Sequence, residues 1–176
     1  MKPCQENEYM LKRPPREIYS NQSSLKKKII SYLKKNIYTY PCVDRVYLFG
    51  SLQDGHFGKY YSPKYDGSGN KKLGSDIDLV IIVDERFSLP SNWKEETSDI
   101  FDRYKAPALK GILGVEDGVH DISLFVYLPS KANQPPADKK NKHIGLYASP
   151  TREKALEVML SSDNSSMIYE KKTNKE

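Results

Sequence analysis

The chain has 176 residues, 38% hydrophobic and 29% charged, with a net charge of +5 at pH 7. That length supports one domain with a real core, and no apolar run approaches what a membrane span needs. The charge is uneven: residues 1–36 carry +6, residues 37–130 carry −4 and residues 131–176 carry +3. Basic flanks suit an anionic partner such as RNA, DNA or an acidic protein, and serve equally well as solvated ends. Cys4 and Cys42 lack metal-ligand spacing and read as free thiols of a reducing cytoplasm. The N-terminus carries no signal-like apolar stretch, so a cytoplasmic protein is expected.

Residues 1–19 hold Pro3, Pro14 and Pro15 among charges and read as an irregular arm before a domain spanning 20–162. Ser23 or Ser24 can cap a helix running to about Asn36, with Leu25, Ile29, Tyr32 and Leu33 as its apolar stripe. Its lysines, 26–28, 34 and 35, fall mostly off that stripe. Val43–Phe49 reads as a strand, and Ser51 should open a short helix. Residues 54–72 are rich in Gly, Ser, Pro, Tyr and Lys and read as a loop insertion. As a flap over the site, Tyr60, Tyr61, Tyr65 and Lys64 there could touch a base or an acceptor, and Lys59, Lys64, Lys71 and Lys72 a phosphate; a surface loop of no catalytic importance is the alternative. Ile77–Val83 is apolar on both faces, as a central covered strand is. A helix is expected over Lys94–Tyr104, with Ile100, Phe101 and Tyr104 inward, then a short extended piece over 109–115. Val119–Leu128 is a further strand, closed by Pro129. After a polar linker over 130–142, Ser149 and Pro150 start a helix that packs Ala155, Leu156, Met159 and Leu160 inward. From Ser161 the chain should fray, with 163–176 a flexible tail.

The chemistry concentrates at two places. The strand Val46–Phe49 runs into a Gly50-Ser51 turn, which can offer backbone N–H groups and a hydroxyl to phosphate. The strand Ile77–Val83 is entered through Asp76-Ile77-Asp78, whose two carboxylates at i and i+2 share a face. Like charges so close raise each other's pKa unless a cation lies between them, and a hard ion such as Mg²⁺ suits such oxygens. Each piece alone has a plain structural reading: Gly-Ser as an ordinary turn, Asp-x-Asp as a turn cap, His120 as a packed strand residue.

Leu48-Phe49-Gly50-Ser51 followed by Ser75-Asp76-Ile77-Asp78-Leu79 resembles the signature of the nucleotidyltransferase superfamily that includes DNA polymerase beta. The resemblance covers roughly residues 25 to 128. It implies a small α/β (α+β) fold whose central sheet is mixed or antiparallel, with flanking helices packed mainly on one face. It also implies a third carboxylate on a later strand, for which Asp121 in Val119–Tyr127 is the candidate. On that pattern Asp76, Asp78 and Asp121 are catalytic and hold two Mg²⁺ ions, or Mn²⁺ instead, while Gly50, Ser51 and Ser75 grip the nucleotide. The implied reaction moves an NMP, most commonly AMP from ATP, to a hydroxyl and releases pyrophosphate. The acceptor is a protein, an RNA or a small molecule. Little chain follows residue 128, so a partner protein or a homodimer is expected to hold it. The alternative is an antitoxin-like or nucleic-acid-binding module with a vestigial nucleotide site. Ser51 and Asp76 stand 25 positions apart, a departure from compact members made by the 54–72 insertion.

Overall fold

The computed structural model describes residues 16–60, 74–98, 100–110, 119–136, 149–161 and 165–172. In chain order the elements are β1 (Arg16–Ile18), α1 (Gln22–Asn36), β2 (Val43–Phe49), β3 (Gly58–Tyr60), β4 (Ile77–Val83), β5 (Lys94–Glu95), β6 (Asp102–Lys110), β7 (Val119–Tyr127), a 3-10 turn (Pro129–Lys131), α2 (Arg152–Leu160) and β8 (Ser165–Glu170). Six strands form one mixed sheet in the order β5-β6-β7-β4-β2-β8, and β1 pairs with β3 in a separate two-stranded sheet. In the large sheet β4 and β7 run parallel, while the other neighbours run antiparallel. The chain is thus a mixed α+β protein, and none of its described helices is long and apolar enough to cross a membrane.

The alternation of β4 distributes the core. Ile77, Leu79, Ile81 and Val83 face one side, where they join Leu25, Ile29 and Leu33 of α1 and Ile122, Leu124 and Val126 of β7. Val80 and Ile82 face the other, packing with Phe125 and Tyr127 of β7 and Ala155 and Met159 of α2. Each fully buried aliphatic side chain contributes about 1.5–3 kcal/mol, so both faces are strongly specified. The two helices therefore lie on opposite faces, not mainly on one.

α1, β2, β4 and β7 lie where periodicity places them, with three refinements at the helix ends. Asn21, rather than Ser23 or Ser24, precedes the first turn of α1, and its side chain makes no capping bond. Gln22 instead clasps the chain: its Nε2 donates to the Tyr19 and Phe57 carbonyls, and its Oε1 accepts from Phe57 N–H. At α2 the cap is Thr151, whose Oγ1 accepts from Lys154 N–H, so Ser149 is not the cap.

Five expectations are corrected. The segment 94–104 is not a helix. Ile100, Phe101 and Tyr104 share a helical spacing, but Phe101 joins the α2-side cluster and Tyr104 packs toward the α1 side, which a strand achieves and a helix does not. Ser51 opens a series of turns, not a helix, closed by Asp54 N–H to Gly50 O at 3.0 Å and His56 N–H to Ser51 O at 2.8 Å. The arm is ordered from Arg16 on, because β1 pairs with β3 and Tyr19 is buried. The start of the insertion is core: Phe57 is fully buried, Gly58–Tyr60 form β3, and Lys59 bridges to Gly74. Finally residues 165–170 of the tail do not fray, since as β8 they pair with the outer edge of β2 and supply the partners its N–H and C=O groups require. Residues 1–15, 61–73, 111–118, 137–148 and 173–176, with Asp99 and 162–164, lie outside the described residues. So do Tyr61, Lys64, Tyr65, Lys71 and Lys72, the piece over 111–115 and residues 137–142 of the linker.

β8 also stacks Tyr169 on Tyr38, centroids 4.7 Å apart. Deleting residues 165–176 should lower the melting temperature by roughly 10 °C or more and promote association through the bared β2 edge. Thermal unfolding and size-exclusion chromatography check this. A monodisperse truncated chain that melts with the full-length protein would show β8 to be dispensable.

Candidate active site

The site gathers where the N-terminal ends of the parallel pair β4 and β7 meet the C-terminal end of β2. Ile77 pairs with Ile122 and Asp78 with Ser123, so Asp76 and Asp121, one step earlier on each strand, fall side by side. Residues in register on adjacent strands share a face, and Asp78, Ser123 and Lys105 form a row across β4, β7 and β6. Asp76, Asp78 and Asp121 therefore occupy one face of the sheet, the face that α2 covers further along the strands. His120, beside Asp121, points to the opposite face.

Gly50 closes the third side. Phe49 pairs with Asp78, and the chain then leaves β2 through Gly50 with φ at +74°. A methyl group built on Gly50 would come within 2.5 Å of Asp78 Oδ2. Glycine is required here twice over, for the left-handed backbone and for this approach. Ser51 follows, half-buried, and the buried Leu52 anchors the turn.

The electrostatics of the two aspartates are those of crowded, buried anions. Burial pushes the Asp78 carboxyl up to about 7, and the neighbouring Asp76 charge adds to this. Asp76 is raised by burial and then by the Asp121 charge, with Lys105 and Arg103 partly opposing. Lys105 Nζ lies 3.0 Å from Asp121 Oδ2 and 3.2 Å from Glu96 Oε1. Arg103 Nε lies 3.4 Å from Glu96 Oε2, its Nη2 donates to Ser123 Oγ at 3.5 Å, and its guanidinium sits over the Phe125 ring.

The structure thus brings Gly50, Ser51, Asp76, Asp78 and Asp121 to one place, and sets Ser75 apart. Ser75 is buried, its Oγ accepting from Gly58 N–H at 3.1 Å and its carbonyl accepting from His120 Nδ1–H at 2.8 Å. A carbonyl can only accept, so this bond fixes the tautomer, and His120 Nε2 takes the Tyr19 hydroxyl at 3.1 Å. Burial lowers the His120 pKa and keeps the ring neutral. Lys59, a candidate for phosphate contact, lies 3.3 Å from Glu17.

Asp76 and Asp78 suit a divalent ion: hard oxygen donors, close together, raised by burial and mutual repulsion that a cation would relieve. As the side chains stand, no group of three or more His, Cys, Asp or Glu among the described residues is arranged to hold an ion. Asp121 Oδ2 engages Lys105 instead. Glu96, Arg103 and the adjoining Lys105 were hidden while 94–104 read as a helix, whereas Ser123 lies in the expected strand, two residues from Asp121 on the same face. The signal was present in Arg103-Tyr104-Lys105-Ala106, where cations alternate with apolar residues at strand period. No family model, curated protein or solved structure matches this chain.

Two predictions follow from this geometry. An acid whose folded pKa lies above its unfolded value holds its proton longer in the native state. Metal-free stability should therefore fall as pH rises from 3.8 to about 7, the window between the two Asp78 values. Asp78→Asn removes that slope and should stabilise the metal-free protein above neutrality by on the order of 1–3 kcal/mol, measured by urea unfolding across pH. Equal or lower stability of the variant at pH 8 would make Asp78 a structural residue. The second prediction compares glycines: Gly55 also has positive φ, +75°, but nothing lies within 4 Å of an added methyl. Gly55→Ala should cost only the backbone strain, about 1–2 kcal/mol, whereas Gly50→Ala should cost more and displace Asp78. Denaturation together with the pH slope of each variant distinguishes the two.

Proposed function

We propose that this protein is a metal-dependent nucleotidyltransferase that moves an NMP from an NTP, ATP being the commonest donor of the superfamily it resembles, to a hydroxyl acceptor. The observation that carries the reading is the approach of Gly50 to Asp78 Oδ2, with Asp121 beside Asp76 on the next strand. Ser51 and Asp76 are 25 positions apart and Asp76 and Asp121 are 45 apart, yet the Gly50-Ser51 turn and the three aspartates meet at one end of one sheet. The raised Asp76 and Asp78 are further support, because strongly perturbed carboxylates concentrate at working sites.

In this reading the Gly50-Ser51 turn holds the β- and γ-phosphates, through backbone N–H groups that glycine lets approach closely and through the Ser51 hydroxyl. Asp76 and Asp78 would hold the ions, with Asp121 completing the set. Bound Mg²⁺ would supply charge neutralisation on the phosphates and lower the pKa of the attacking hydroxyl. Asp121 takes the acceptor hydroxyl's proton on a carboxylate oxygen as the hydroxyl oxygen attacks the α-phosphorus. The new O–P bond forms, the bond between the α-phosphorus and the bridging oxygen breaks, and pyrophosphate leaves with the electron pair.

One observation favours a second reading, a module that binds a polyanion. The outer face of α1 exposes Lys27, Lys28, Lys34 and Lys35, and the helix contains no acidic residue. Binding of that kind weakens steeply with salt, whereas nucleotidyl transfer needs the aspartates. Incubating the protein with each α-labelled NTP, Mg²⁺ and a cell extract tests both. Transfer of label to protein, RNA or a small molecule, abolished by Asp78→Ala, is the expected result. No transfer with any NTP, together with no stabilisation by Mg²⁺ and NTP, would overturn the enzymatic reading.

A further inference from the structure

Lys105 places a fixed-charge ammonium against the third carboxylate of the candidate site. It projects from the middle of β6, backbone-paired with Ser123 on one side and Lys94 on the other, so its Cα has little freedom. Its Nζ stands between two carboxylates, 3.0 Å from Asp121 and 3.2 Å from Glu96. Glu96 is itself fixed, its backbone N–H donating to Arg103 O at 2.9 Å and its side chain lying against Arg103.

We infer that Lys105 is an internal competitor of the divalent cation: it neutralises Asp121 in the metal-free protein and retires onto Glu96 when the ion binds. The inference rests on the metal-dependent reading above and names a positioning residue for that site. The geometry supports it in three ways. Asp121 Oδ2 cannot serve a metal fully while it accepts the ammonium. The lysine stem is long and flexible, and a second acceptor already lies within hydrogen-bond reach, so release from Asp121 strands no charge. Both side chains are about one-third exposed, 34% and 32%, so the pair is weak enough for a divalent ion to break. Lys105 thereby also spares the metal-free fold three unscreened carboxylates in a row.

The test uses the full chain and Mn²⁺ alone, followed by calorimetry or by the loss of the free-ion paramagnetic resonance signal. Lys105→Met should bind Mn²⁺ about tenfold tighter than wild type, the removal of one ion pair plus one repulsive charge. Lys105→Arg keeps the competing charge and should stay within about twofold of wild type. Glu96→Gln, which takes away the alternative acceptor, should bind several-fold more weakly. These shifts should persist at roughly 0.5 M KCl, where long-range fields are screened and direct competition is not. Equal affinities for wild type and Lys105→Met, or shifts that vanish in salt, would overturn the competitor role and leave the metal site standing. If neither protein binds Mn²⁺ at millimolar concentration, the metal-dependent reading and the inference fall together. Glu96→Gln separates competition from mere loss of structure, because damage would weaken both variants, whereas competition moves them in opposite directions.

Discussion

Everything at the candidate site depends on the register of one parallel strand pair. Ile77 opposite Ile122 sets Leu79 against Leu124 and Ile81 against Val126 on the α1 side, and Val80 against Phe125 on the α2 side. A slip by one residue would turn every apolar side chain of β4 to the wrong face, and both cores resist it. The same register brings Asp76 beside Asp121. Side chains outside the candidate site therefore fix the separation of those within it. Parallel neighbours also need a connection that returns the chain to the starting end. Here β5 and β6 lie on it, and β6 delivers Lys105 to the row that ends at Asp78, with Arg103 in the next row on the same face.

The fold carries two solutions to the problem of a buried carboxylate. Asp102, at the start of β6, is met by Arg152 Nη1 at 3.1 Å from α2 and by Lys131 Nζ from the 3-10 turn. That carboxylate is neutralised by two cations and ties three elements together. Among the described residues Asp76 and Asp78 receive no such treatment: they crowd each other, with the nearest described cations drawn to Glu96, Asp121 and Ser123. The fold is able to pair a buried acid and leaves these two poorly paired. Unrelieved repulsion of this kind persists only where the surrounding structure over-determines it, here through β4 as a central strand buried on both faces. The contrast is what separates a site from an accident of packing.

Sequence reading succeeded where one signal dominated. The continuous apolar run of β4, the alternation of β7 and the stripe of α1 each fix an element, and strand alternation alone puts Asp76 and Asp78 on one face. It failed where short-range spacing was ambiguous and long-range pairing decided the outcome. Ile100, Phe101 and Tyr104 fit a helix in isolation, and only β7, nearly twenty residues on, makes 102–110 a strand. Residues 165–170 carry too many polar side chains to announce a strand, and the open edge of β2 recruits them. The same tertiary override hid Lys105 and Glu96, because the partners of an ion pair across strands have no characteristic spacing in the chain. Phe57 was hidden by the Gly- and Ser-rich residues around it.

His120 shows how far the site extends through the sheet. It lies next to Asp121 yet serves the other face, where its two ring nitrogens connect Ser75 with Tyr19 and its ring packs on Phe57 at 4.4 Å. Gly74 leaves the space it occupies, since a methyl there would meet the ring at 2.0 Å. Ser75 in turn accepts from Gly58 and precedes Asp76 directly. The two residues ahead of Asp76 are thus held by the His120 side chain from β7 and by the backbone of Gly58 and Lys59 in β3. This explains why the chain before α1 is ordered at all: Tyr19 completes the polar set around a buried imidazole that would otherwise leave a nitrogen unsatisfied. The carboxylates on one face keep their places because a neutral histidine, on the other, holds the backbone that leads into them.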